Sequence, residues 1–211
     1  MISDISGIYC SKSTQILKGI LQNWIRVNID LLKLWQSYKD VPWWYNERAN
    51  LSVFAGAIWK SGGNVFEEYK EHKRKITKMG KLSKTYFGRV DLYFTIQKYE
   101  FIAETKHTRD GISLNSDPLP MVEKLLNSAC HDIRKVKPFK QRRLGITFIY
   151  PYVMKHDSNN LEQRIHDWIK NIKKVNFDAC AWIFPEISRV ISDEKYICPG
   201  TALLIKEIKS T

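Results

Sequence analysis

The chain has 211 residues, a mass of 24.8 kDa and 44% hydrophobic residues, 12% of the total being aromatic; that supplies one packed core and excludes a wholly disordered chain. Its formal net charge is +12, from 34 Lys and Arg against 22 Asp and Glu, the footprint expected of a domain with a polyanion partner, nucleic acid before anionic membrane. No stretch reaches the length of a bilayer-spanning segment, and Met1 to Cys10 lacks the basic start and apolar run of a secretory leader, so the expectation is a soluble cytoplasmic chain.

In chain order, residues 12–38 carry Leu17, Ile20, Leu21, Trp24, Leu31, Leu34 and Trp35 at helical spacing, which predicts a packing helix. Asp40-Val41-Pro42 ends it. A second helix is predicted over 44–60, with Leu51, Phe54, Ala55 and Ile58 as its stripe and Ser61-Gly62-Gly63 as its stop. Glu47 falls on that same stripe, four residues before Leu51. A carboxylate on the inward face of a helix is either a group favoured by the N-terminal dipole or part of a site.

A first strand is predicted at Asn64–Lys70, followed by a strongly basic connection containing His72, Lys73, Arg74, Lys75, Lys78, Lys81 and Lys84. This connection reads as a mobile loop or the frayed end of a hairpin. Its cations, with Arg89, are the candidates for phosphate contact. Two aromatic and β-branched runs, Gly88–Ile96 and Phe101–Lys106, are separated only by Gln97 to Glu100, which predicts a β-hairpin. His107 to Pro120 then reads as a loop, 121–136 as a helix, and Leu144–Tyr150 as a buried strand. A helix at 159–174 and strands at 179–184 and 201–208 complete the chain. Cys10, Cys130, Cys180 and Cys198 form no CxxC pair, which argues against a zinc cluster. Cys130 and Cys180 read as buried free thiols.

The hairpin carries the chemistry. Glu104 and Lys106 are two residues apart on one strand and share a face, while Thr105 faces the other way. An even-numbered loop brings Asp91 to the face of Glu104 and Lys106; an odd one sends it to the opposite face. The even register is the expected one, and it clusters two carboxylates and an ammonium on an otherwise apolar sheet. Two such carboxylates are hard-oxygen donors suited to Mg²⁺ or Mn²⁺, and a lysine beside them can orient water or offset charge on a phosphoryl group. Trp43 and Trp44 read by default as core aromatics; close to Glu47, they are alternatively candidates to line a groove and stack on bases.

The forms Arg89-Val90-Asp91-Leu92 and Ile102-Ala103-Glu104-Thr105-Lys106, with the element order helix, three strands, helix, strand over about 44–150, resemble the PD-(D/E)XK nuclease superfamily. Val90 stands where the name-giving proline would be. The resemblance implies an α/β fold with a central mixed β-sheet flanked by helices, a restriction-endonuclease-like αβββαβ core within a single domain spanning 1–211. An N-terminal helix precedes that core and an α/β extension over 151–211, matching no motif, follows it. It further implies a Mg²⁺-dependent (or Mn²⁺-dependent) endonuclease acting on DNA, with metal held by Asp91, Glu104, Glu47 and the Thr105 carbonyl, and water assisted by Lys106. Glu67 and Glu68 are the reserves for Glu47. The alternative is a catalytically inactive nucleic-acid-binding module or assembly subunit on the same fold. Whether the chain works alone, as a homodimer or as a subunit of a larger system is left open by the sequence.

Overall fold

The computed structural model describes residues 4–76, 82–112, 119–136, 140–191 and 195–209, without the side chains of 75, 76, 82–84 and 119. Eight strands and four α-helices are described: β1 (Ile5–Cys10), α1 (Lys18–Trp35), α2 (Glu47–Lys60), β2 (Asn64–Ile76), β3 (Leu82–Ile96), β4 (Tyr99–Gly111), α3 (Leu119–Arg134), β5 (Arg142–Met154), α4 (Leu161–Ile172), β6 (Ala179–Phe184), β7 (Tyr196–Ile197) and β8 (Thr201–Ile208). The strands form one sheet in the order β1-β6-β8-β5-β4-β3-β2, with β7 paired to β5 off that path. β4 and β5 run parallel, and the other pairs are antiparallel. The chain is therefore α/β with a central mixed sheet, as the alternation of periods predicts. From α2 to β5 the order is αβββαβ. The C-terminal extension does not stand apart, because β8 pairs directly with β5 and β6 with β8.

Helices cover both faces. Leu17, Ile20, Leu21 and Trp24, from α1 and the turn before it, pack with Leu51, Phe54 and Ile58 of α2 against Leu92, Phe94, Phe101, Ala103, Ile146 and Phe148 of the sheet. On the opposite face, Val122 and Leu126 of α3 and Ile165, Trp168 and Ile169 of α4 pack on Cys180, Ala202 and Leu204. Val90, Ile102, Ile133 and Val136 form a smaller cluster beside the end of α3. Each helix is held by its apolar stripe rather than by intrinsic propensity. Cys130 and Cys180 are buried free thiols, and burial pushes them up to about 11 and about 12, which leaves both unreactive at neutral pH.

Several boundaries differ from expectation. The basic connection is largely strand, since β2 and β3 pair from Asn64↔Thr95 out to Ile76↔Leu82. β4 continues to Gly111 through His107 and Arg109, because parallel β5 pairs it as far as Gly111↔Tyr152; the predicted loop at 107–120 is strand in its first five residues. β1 carries no strong alternation and owes its place to the edge of β6. No described helix is long and apolar enough to cross a membrane.

Close helix–sheet approach depends on Gly145 in β5, opposite Glu104 in the register. A Cβ there would lie 2.7 Å from Cys130 Sγ and 2.8 Å from the Cys130 backbone nitrogen. Gly145→Ala is expected to lift α3 and lower stability by about 1–3 kcal/mol. Gly56→Ala, in open space on α2, is expected to be neutral or to stabilise by up to about 1 kcal/mol. Thermal and denaturant melts of the two variants check the contrast.

Candidate functional site

The hairpin between β3 and β4 turns in two residues. Ile96 pairs with Tyr99, and the register runs back to Leu92↔Ala103, so the loop is even. Gln97 enters the turn with a left-handed φ of 52°, as tight hairpin turns require. Beyond Leu92 the two strands part: from Arg89 outward β3 pairs with β2 and not with β4. Regular alternation fails at the same point. Val90 packs beside Ile102 while Leu92, two residues on, packs under α2 on the opposite face. Glu68, level with this irregularity on β2, has a φ of 55°.

The parting strands leave the Thr105 amide without a β3 carbonyl, and Asp91 takes it. Its Oδ2 accepts the Thr105 N–H at 2.6 Å and the Thr105 hydroxyl at 3.0 Å. Asp91 is thus bound at the strand edge rather than simply joining the face of Glu104 and Lys106, which the regular-strand argument predicts. The same hydroxyl lies 3.0 Å from Glu47 Oε1, and the backbone of His107 also favours the charged form of Glu47. Asn46 caps α2 by accepting from the Ala49 N–H at 3.0 Å, which fixes Glu47 in the first turn. Burial raises the Glu47 pKa and the charge of Asp91 adds to it, against the hydrogen bond from Thr105 and the charge of Lys106.

On the other side of β4, Glu104 and Lys106 face α3. Glu104 Oε1 meets Lys73 Nζ at 2.5 Å, with the two side chains only 7% and 13% exposed. Lys73 comes from β2, whose outer end is tied to the end of α3 by a bridge to Val136 and by the Arg74 N–H on the Lys135 carbonyl. It passes over Gly88, where a Cβ would come within 2.8 Å of its chain. Burial is the main cause that pushes Glu104 up to about 7; Asp91 adds to it, and Lys73 and Lys106 oppose it. Lys106 Nζ donates to the Thr105 carbonyl at 3.0 Å and meets Asp132 Oδ2 at 3.1 Å. Burial works against its charge, but Asp132, Glu47 and Asp91 together raise its pKa. It is an ammonium at neutral pH.

Of the residues predicted for the site, Glu47 and Asp91 meet at the Thr105 side chain, whereas Glu104 and Lys106 lie on the other side of β4 and pair with Lys73 and Asp132. Among the predicted phosphate contacts, Lys73 is instead the partner of Glu104, and Arg89 pairs with Glu68 at 3.4 Å. Arg74 is half-buried. Lys78 and Lys81, with the side chains of Lys75 and Lys84, lie outside the described residues. Glu68 is exposed, and its carboxylate is engaged by Arg48 and Arg89. Trp43 is fully buried, its Nε1 donating to the Cys198 carbonyl at 3.0 Å, so only Trp44 can line a groove. Asp132 was missed, although it lies three residues after Ala129 and four before Val136, on the flank of the α3 stripe; the reasoning applied to Glu47 finds it.

Among the described residues, no group of three or more His, Cys, Asp or Glu side chains is assembled for a metal ion. The donor set nonetheless suits a hard cation. Asp91 and Glu104 offer carboxylate oxygens of the kind a hard divalent cation takes, and Lys73 already occupies the Glu104 oxygen that such an ion would need. No protein-family model, curated protein or solved structure matches the chain.

The raised pKa of Glu104 makes stability pH-dependent. The folded state holds this proton up to about 7 against an ordinary 4.5, so its contribution is complete below about pH 4.5 and is lost as pH rises through about 7. The loss is on the order of 3 kcal/mol. Denaturant melts between pH 4 and 8 are expected to show this slope in the parent chain and a flatter one in Glu104→Gln.

Proposed function

We propose that this protein is a Mg²⁺-dependent nuclease that hydrolyses phosphodiester bonds in DNA. The observation that carries the reading is the meeting of Asp91 and Glu47 at the Thr105 hydroxyl, with the Lys106 ammonium fixed to the Thr105 carbonyl and Glu104 next to it on the same strand. The αβββαβ order, the resemblance of Asp91 and Glu104-Thr105-Lys106 to the PD-(D/E)XK pattern, and the net charge of +12 support it.

Asp91, Glu104, Glu47 and the Thr105 carbonyl would hold the ion. When bound, such an ion polarises a phosphoryl oxygen and lowers the pKa of a coordinated water. The chain's own residues do the rest. Lys106, kept charged by Asp132, donates to the attacking water or to a phosphoryl oxygen and offsets the charge that develops there. It does not act as a base, because its proton is held more tightly than usual. Thr105 sets the separation of Asp91 and Glu47 through one hydroxyl. The chain's net charge of +12 attracts the phosphate backbone over distances comparable to the Debye length.

A nucleic-acid-binding module without catalysis is the second reading. It is favoured by Lys73, which already supplies the counter-ion of Glu104, and by the lack of an assembled carboxylate cluster among the described residues.

Divalent-dependent cleavage of DNA is expected, falling about 100-fold or more in Asp91→Ala and in Lys106→Ala while both variants melt cooperatively. Cleavage that persists in EDTA, or is undiminished in both variants, would sink the nuclease reading. Calorimetry with Mn²⁺ separates the two readings further: Lys73→Met is expected to bind the ion more tightly than the parent chain, and Asp91→Ala more weakly. No Mn²⁺ uptake by either the parent or Lys73→Met favours the binding module.

A further inference from the structure

Beyond the carboxylates, β4 and β5 run on together past the core. Tyr150 and Tyr152 are two residues apart on β5, and Arg109 of β4 is the register partner of Tyr150. With Trp44, Tyr196 and Cys198 these residues line a cavity of about 190 Å³. Its wall is organised. The Arg109 guanidinium lies 5.6 Å from the Tyr152 ring centre, and Tyr152 and Tyr196 meet edge to face at 5.1 Å. Two larger hollows, of about 530 and 480 Å³, are lined by other parts of the chain and include none of the site carboxylates.

The aromatic cavity adjoins the candidate site through three connections. Trp44 precedes Glu47 by three residues. His107, whose backbone favours the charged form of Glu47, stacks on Tyr150 with ring centres 5.2 Å apart. Arg109 follows Thr105 by four residues on the same face of β4, a separation of roughly 13 Å at about 3.3 Å per residue. A phosphate held at the carboxylates therefore has the cavity within reach of a neighbouring nucleotide of the same strand.

We propose that this cavity is a nucleobase subsite, and that the substrate of the adjoining site is DNA presenting an unpaired base there, at a single-stranded segment or by extrusion from a duplex. The chemistry of the wall selects this occupant. Flat π-faces stack on any base, and a guanidinium stacks in the same way while attracting the attached phosphates. A quaternary ammonium or methyl-lysine ligand also favours aromatic walls, but Arg109 and the chain's excess of positive charge oppose it. A paired base inside a duplex cannot enter, since both of its faces are covered; the pocket admits one only after unstacking.

The subsite's position beside the carboxylates rests on the nuclease reading, but base binding does not require catalysis, and the test keeps them apart. Full-length protein in EDTA is titrated with a fluorescent single-stranded DNA and with an abasic strand of equal length and charge; 2-aminopurine in the first strand reports stacking. The base-containing strand is expected to bind about ten-fold or more tightly, with quenching of 2-aminopurine. Tyr152→Leu and Trp44→Leu are each expected to remove most of that preference without changing affinity for the abasic strand. Arg109→Gln, on the exposed end of β4, provides a variant that does not touch the core. Equal affinity for the two strands, parallel losses on both, or no binding of either overturns the subsite. Base preference in a protein that never cleaves keeps the subsite and removes the nuclease reading; metal-dependent cleavage without base preference removes the subsite alone.

Discussion

The grip of Asp91 on the Thr105 amide, 2.6 Å from nitrogen to oxygen, is the constraint on which the rest of the site depends. A buried backbone N–H left without an acceptor costs about 1–3 kcal/mol. Where β3 turns away from β4 to follow β2, that cost would fall on Thr105. Asp91 meets it with a charged acceptor and is thereby fixed in the gap between the strands. The Thr105 hydroxyl then has a defined direction, and Glu47 at the start of α2 completes the contact. One residue of β4 thus joins a strand, a helix and the separation of two carboxylates. The Thr105 carbonyl, in turn, anchors Lys106.

The charges around this centre alternate. Lys73 answers Glu104, and Asp132 answers Lys106 while also holding Lys135 at 2.7 Å. Half-buried charges are costly unless paired, so each one fixes the place of the next. The pairing is uneven in its effect: burial dominates for Glu104, whereas the partners of Lys106 outweigh burial. Gly88 and Gly145 serve this layout by absence of a side chain, one letting Lys73 pass and the other letting α3 bring Asp132 close.

Much of this was legible in the chain. Glu47 stood out because it interrupts an apolar stripe, and the even turn between β3 and β4 followed from the short polar connection. The parting of β3 from β4 was not legible. Strand periodicity carries no mark of where a strand changes partner, and Val90 and Leu92 look alike although they face opposite ways. The strand from His107 to Gly111 was hidden because its residues are polar and its order comes from β5 alongside it. Lys73 was hidden within a basic run, since nothing local distinguishes a cation that pairs inward from one that meets solvent.

By itself, the sequence determined the α/β class, the order of the core elements and the residue types of the site, because hydrophobic period, turn length and isolated charges are local properties of a chain. The tertiary structure alone decided where those charges go: Asp91 to an orphaned amide, Lys73 to Glu104, Asp132 to Lys106, and four aromatic residues to one cavity. Most of these partners are a dozen or more residues apart in the chain, and only the register of neighbouring strands and the seating of helices on the sheet bring them together.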